Sequence, residues 1–268
     1  MKIDKRSALK QGQIDILEIL YKYRFGSRQL LADSLGIKSG SNLHEKLNVL
    51  MKHSFVARRY DKSFKLRGVP AAYYLTPKGL RRLQLILGSE RVTDTIIKAS
   101  YRDKVVSQSF VNHVVEVYTY SNRLQYEYPS LKVFLRREMA LYSYFPANPS
   151  DAFLSLKTAD GSQRFFFDVV SKDTPPSAIN RRLVKYMEFF DEGGWDVTGS
   201  DLPKLLFVLE SLAAENRLRR AAHAVRSRLD LDDEIEVYTA TAENLLSEDA
   251  AIWSNIDKSG ELLSLGEL

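Results

Sequence analysis

Apolar residues recur at helical spacing through the first fifty or so positions and then give way to short strand-like runs. Over residues 13–23, Ile14, Leu17, Leu20 and Tyr21 share one face, which predicts a first helix. Gly26 ends it, and Ser27 caps a second segment, 28–35, that stops at Gly36. Asn42, with Glu45 three residues on, has the form of a capping box. The helix it opens runs to about His53, with Leu43, Leu47 and Leu50 inward and Asn42, His44, Lys46, Asn48 and Lys52 outside. Residues 55–60 and Ala72–Leu75 then read as two strands around a polar loop. Thr76-Pro77, an N-cap followed by proline at the first helical position, opens a fourth helix that ends before Gly88. Residues 89–103 read as a connector. A dense apolar helical pattern over 104–126 follows, through Val106, Phe110, Val114, Val117, Tyr118 and Leu124.

The second half changes period. Lys132–Leu135, 138–142, 151–156 and 164–170 are strand-like, and the last two form a hairpin around Ala159-Asp160-Gly161. A helix over 177–191, a short apolar strand Lys204–Leu209, a helix over 213–229 and a strand over 235–238 complete the pattern. Strands alternating with helices predict parallel pairing and a sheet covered on both faces. The fold class expected is α+β, with a helical front end at 1–90, a helical connector at 91–128 and an α/β domain at 129–245. An acidic C-terminal tail at 246–268, marginal for order, closes the plan.

Charge gives the front end a meaning. Residues 1–92 carry 19 Lys/Arg against 7 Asp/Glu, whereas from Asp230 onward 11 acids face the single base Lys258. The loop between the two strands and its flanks holds Arg58, Arg59, Lys62, Lys65 and Arg67 against Asp61 alone. Three helices followed by a basic hairpin is the layout of a winged helix-turn-helix. There the third helix enters the major groove, and the wing follows the phosphate backbone or a minor groove. The expected partner is double-stranded DNA. The expected contacts are Ser41, Asn42, His44, Lys46, Asn48 and Lys52 on the helix, and Arg58, Arg59, Lys62, Lys65 and Arg67 on the wing. With no cysteine, disulfides, thiolate zinc sites and cysteine nucleophiles are excluded together, and four histidines weigh against a His-rich metal site. No run approaches the ~18–20 apolar residues of a membrane span, and no signal-peptide pattern follows the basic N-terminus, so a cytoplasmic protein is expected.

A second constellation carries chemistry. Pro149-Ser150-Asp151-Ala152-Phe153 opens one strand of the hairpin, and Phe165-Phe166-Phe167-Asp168-Val169-Val170-Ser171-Lys172 closes the other. In an antiparallel pair these ends are neighbours, so Asp151 and Asp168 come together. Two such carboxylates can chelate one Mg²⁺ and hold a hydroxide against a phosphodiester. The next helix offers Arg181, Arg182, Lys185 and Tyr186, with Arg182, Lys185, Tyr186 and Phe189 on one face. Asp151, Asp168, Lys185 and Tyr186 are therefore the candidate catalytic set, with the lysine on the phosphate and Tyr186 as a positioning group. The same residues also fit a structural role: Asp151 as a turn cap, Asp168 as an ion-pair partner of Arg182, and Tyr186 as a half-buried helix residue.

The hairpin, the Phe-rich strand ending in an acid, and the helix with Lys185-Tyr186 resemble the PD-(D/E)xK nuclease-like core. With a winged helix in front, residues 10–210 resemble the replication-relaxation family of plasmids and integrative elements, which is akin to MobC-type relaxases. The resemblance implies a sequence-specific DNA-binding protein of a bacterial mobile element. Such a protein acts at an origin of replication or conjugative transfer with replication or transfer proteins as partners, and dimerisation would give symmetric sites. Three departures stand out. Ser150 is inserted between Pro149 and Asp151, and Val170 stands where the family carries a second acid. Lys172 lies four residues past Asp168, ~13 Å along an extended strand. A non-cleaving nuclease-like core is therefore the first expectation. A Mg²⁺-dependent nickase, with Glu138 as a third carboxylate, is the second. A transcriptional regulator with a dimerising or ligand-sensing C-terminal domain is the third.

Overall fold

In the computed structural model, residues 9–66, 68–158, 161–231, 235–258 and 260–268 are described. The chain divides into two units, 1–122 and 123–268.

Leucines at helical spacing build the first unit. Helices α1 (Gln11–Tyr23), α2 (Arg28–Ser34) and α3 (Ser41–Lys52) bury Ile16, Leu17, Leu20, Leu31, Leu43, Leu47 and Leu50 completely in one core. A small antiparallel sheet closes that core. Its strands β1 (Phe25–Gly26), β2 (Val56–Arg59) and β3 (Ala72–Leu75) lie in the order β1-β3-β2. Between β2 and β3 the chain forms a single helical turn, α4 (Lys62–Leu66), where an open loop was expected. Helix α5 (Pro77–Leu87) starts as anticipated: the Thr76 hydroxyl accepts from the Gly79 N–H at 3.0 Å. Gly79 permits the close approach of α5 to the preceding chain, because a Cβ there would stand 2.0 Å from the Phe55 carbonyl oxygen.

Three boundaries differ from the sequence expectation. The capping box of Asn42 and Glu45 is absent. Gly40 is the N-cap of α3 and no side chain caps it, so Asn42 lies inside the helix with its side chain free to face outward. The connector contains a helix of its own, α6 (Asp94–Ser100), because Thr93 accepts from the Ile96 N–H. The apolar helix expected over 104–126 is α7 (Gln108–Glu127), beginning where the Ser107 hydroxyl accepts from the Phe110 N–H at 3.2 Å.

The second unit is a six-stranded mixed sheet. Strands β4 (Lys132–Leu135), β5 (Ala152–Thr158) and β6 (Gly161–Val170) are antiparallel neighbours. β6, β7 (Lys204–Leu209) and β8 (Val237–Thr241) then run parallel, linked by α9 (Pro176–Asp191) and α10 (Leu212–Leu229). Phe153, Phe166, Leu205 and Phe207 meet Leu183, Met187, Leu218 and Val225 of these helices in one core. The intervening Leu154, Phe165, Phe167, Leu206 and Val208 are buried as well, so the central strands are covered on both faces.

Two expectations are corrected here. Residues 138–142 are not a strand. Arg136–Met139 forms the short helix α8, whose start is capped when the Leu135 N–H donates to Glu138 Oε2 at 2.8 Å. Glu138 is thus a helix cap and supplies no third carboxylate. The acidic segment 246–268 is not a tail apart from the domain. After α11 (Ala242–Leu246), strand β9 (Ser254–Asn255) pairs antiparallel with β8, and Trp253, Ile256 and Leu265 are buried. Arg219 of α10 holds this segment through the Ile256 and Asn255 carbonyls at 2.8 and 3.1 Å. Its acids lie among apolar anchors too widely spaced to form a pattern of their own.

Candidate functional site

The polar face of α3 is built by the spacing of its leucines. With Leu43, Leu47 and Leu50 turned into the core, Ser41, Asn42, His44, Asn48 and Lys52 are left exposed on the outer side. Lys46 behaves differently. It is half-buried, and its ammonium folds back over α1, where a Cβ on Gly12 would stand 2.8 Å from Lys46 Nζ.

On the hairpin, alternation along β2 separates the two arginines. Arg58 is exposed, with its guanidinium 5.8 Å from the Tyr60 ring. Arg59 is half-buried and donates to the Val106 carbonyl at 2.5 Å and the Asp103 carbonyl at 3.5 Å. Its guanidinium is spent on satisfying the chain between α6 and α7, which corrects its place among the outward-facing wing cations. The Lys62 and Lys65 side chains and all of Arg67 lie outside the described residues.

In the second unit Asp151 and Asp168 do meet. The register of β5 on β6, Ala152 opposite Phe167, sets them side by side at the end of the ladder. Each also accepts a backbone N–H from the opposite strand: the Asp151 N–H donates to Asp168 Oδ1 at 3.1 Å, and the Val169 N–H donates to Asp151 Oδ2 at 3.0 Å. Both side chains are buried. Arg136, delivered by α8, donates to Asp151 Oδ1 at 2.9 Å. Arg182 and Tyr186, one turn apart on α9, both reach Asp168. The guanidinium pairs with Oδ1, and the phenol donates to Oδ2 at 2.7 Å. Arg182 also reaches the Pro149 carbonyl at 3.4 Å.

Burial pushes the Asp168 carboxyl pKa up, and Arg182 pulls it back part of the way. Burial opposes the Arg182 charge too, but there the neighbouring Asp168 prevails and holds the guanidinium protonated. Both pKa values move up, which disfavours the charged carboxyl and favours the charged guanidinium of one ion pair. The Asp151 N–H, the Arg182 guanidinium and the Tyr186 hydroxyl all donate to Asp168, which satisfies a carboxylate as acceptor, while the Asp151 carboxylate adds to the upward push. Tyr186 is raised well above the usual phenol range, by burial first and by Asp168 next, so it stays a neutral donor.

Lys185 is exposed on α9 and makes no bond to either carboxylate among the described residues. It therefore leaves the candidate catalytic set. Arg136, missed in the sequence because it falls between the strand-like runs 132–135 and 138–142, belongs to the cluster instead. The capping pattern of Glu138 three residues after Leu135 was the available signal.

The residues present do not fit the divalent cation expected at Asp151 and Asp168. Two guanidiniums already neutralise the two carboxylates. The four oxygens accept from Arg136, Arg182, Tyr186 and two backbone amides. Hard cations such as Mg²⁺ take six oxygen ligands, and a metal here would have to displace Arg182 and Tyr186. No group of three or more His, Cys, Asp or Glu among the described residues is placed to hold a metal.

Comparisons with known proteins add little to this geometry. No family model matches the chain, and no curated protein matches it. Solved structures of the restriction endonuclease FokI, alone and bound to DNA, are similar at TM-scores of 0.31 and 0.29 with 11% identity. Each alignment covers 92% of this chain and 45% of the FokI chain. A likeness at this level bears neither the fold nor the chemistry described here. No helix among the described residues is long and apolar enough to cross a membrane.

Proposed function

We propose that the chain is a double-stranded DNA-binding protein whose first unit is a winged helix and whose second unit is a nuclease-like body that does not cut. The observation that carries this reading is the outer face of α3, where Ser41, Asn42, His44, Asn48 and Lys52 stand exposed beside a hairpin bearing Arg58. Short amides and hydroxyls match base edges, and lysines and arginines match phosphates. The excess of cations in residues 1–92 supports the same partner, since phosphate contacts carry most of such affinity. A site at an origin of replication or transfer, and symmetric binding by a dimer, follow from the sequence resemblance alone.

For the second unit, the pairing of both carboxylates with arginine supports a scaffold over a nickase. Binding-site selection from random duplexes, followed by fluorescence anisotropy across salt concentrations, tests the first half of this reading. A selected consensus with a salt-dependent Kd is expected; affinity that is independent of salt and of sequence overturns it. Supercoiled plasmid carrying the selected site tests the second half. It should remain uncut with Mg²⁺ or Mn²⁺, and nicking that disappears in Asp168→Ala would restore the enzyme reading.

A further inference from the structure

Lys172 takes no part in the carboxylate network. It lies exposed just beyond β6, at the rim of a cavity of about 210 Å³. The cavity opens at the carboxyl ends of the parallel strands β6 and β7, between α9 and α10. Open α/β sheets commonly bind ligands outside those strand ends. Val170, Ile179 and Leu218 line its wall with aliphatic carbon, and Ala221 keeps it open by being small.

Polar groups converge on this hollow from three elements. Lys172 comes from the end of β6, Asn180 from α9 and Arg217 from α10. Among the described residues neither Lys172 nor Arg217 has an ion-pair or hydrogen-bond partner, and Glu210 is the only acid on the lining. Two exposed cations against one acid leave the opening with net positive charge, which favours an anion there. The aliphatic wall adds a preference for an anion that carries an apolar body. The modest volume limits that body to about one ring.

We propose that the second unit binds a small organic anion in this cavity, a phosphate or carboxylate on a compact apolar body. Lys172 and Arg217 hold the anionic group, the Asn180 amide donates to it, and Val170, Ile179 and Leu218 pack against the body. The lining comes from the second unit alone and includes none of Arg136, Asp151, Asp168, Arg182 and Tyr186.

Isothermal titration of the full-length chain with phenyl phosphate and with benzoate tests it. At least one probe should bind saturably at one site per chain, and phenol, which has the ring without the charge, should bind far more weakly. Lys172→Ala and Arg217→Ala should each weaken binding by about tenfold, the loss of one charge-assisted contact. Ala221→Leu, which fills the cavity and keeps both cations, should abolish it. Arg228→Ala, an exposed arginine of α10 outside the lining, should change nothing. Lys172 and Arg217 are exposed, so their variants should keep the wild-type urea midpoint, and they decide the matter even if Ala221→Leu does not fold. Failure of both probes to bind, or equal affinity in wild type and both charge variants, overturns the proposal. Displacement of the probe by random-sequence duplex at the same phosphate concentration also overturns it, making the site a contact for DNA backbone.

Discussion

In the first unit, the helix α3 turns Leu43, Leu47 and Leu50 into the core and leaves amides, a histidine and a lysine exposed. In the second, the two carboxylates are buried, and Asp151 and Asp168 are matched one for one by Arg136 and Arg182. Residue types that look equally functional in the sequence therefore do opposite work. What separates them is whether a partner is already supplied by the fold. An exposed polar group without an internal partner is free to recognise something else. A buried carboxylate whose oxygens all accept hydrogen bonds is committed to holding the protein together. Arg58 and Arg59 show the same contrast between adjacent residues, one exposed and the other bonded to the Val106 carbonyl.

The comparison breaks most directly at Asp168. Asp168→Ala leaves Arg182 without its buried counter-ion and the Tyr186 hydroxyl without its acceptor. Unfolding in urea should show a loss of about 3–5 kcal/mol, as expected for removing one partner of a buried pair. A loss under about 1 kcal/mol would mean the cluster is not a structural lock. Tyr186→Phe should be milder, about 1.5–3 kcal/mol by the same measurement, because one donor to a buried charge is removed and the ring remains. On the other side of the comparison, Asn48→Ala should leave stability within about 0.5 kcal/mol. It should cost about 1–3 kcal/mol of affinity for the selected DNA and little for random DNA. A fall in stability with no change in affinity would move α3 into the structural class. The smallest effects discriminate most finely. Arg58→Ala should weaken binding to all sequences and reduce the slope of log K against log salt by about one. Arg59→Ala should leave that slope unchanged and lower stability by about 1 kcal/mol.

Much of this arrangement was legible in the sequence. The periodicity of Leu43, Leu47 and Leu50 defined α3, and β7 occupies the expected residues 204–209, where the shortness of the apolar run and its place between helical segments decide for a strand. The meeting of Asp151 and Asp168 follows from hairpin register, which alternation fixes. The Arg182–Asp168 pair was already one of the two readings the sequence offered. What it left open was whether Arg182 or Lys185, both basic and on one face of α9, reaches the carboxylates. Arg136 was hidden in the gap between two strand-like runs, where Glu138 caps a short helix instead. Residues 246–268 were misread because anchors such as Trp253 and Leu265 are separated by acids, and their value depends on the edge of β8 that receives them.

The carboxylate cluster also has a consequence for how the second unit is assembled. Its links join residues only 14 to 18 positions apart, from Arg182 to Asp168 and from Tyr186 or Asp151 to its partners across the hairpin. The parallel pairings of β6 with β7 and of β7 with β8 each close a loop that contains a whole helix. Short loops close first, because the entropy lost on closure rises with length. The hairpin of β5 and β6, clasped to α9 through Asp168, is therefore the natural nucleus onto which β7 and β8 are added. Substitutions at this clasp should slow refolding, whereas substitutions in β8 should mainly hasten unfolding. Paired with arginine, the two aspartates would set the pace at which the domain folds.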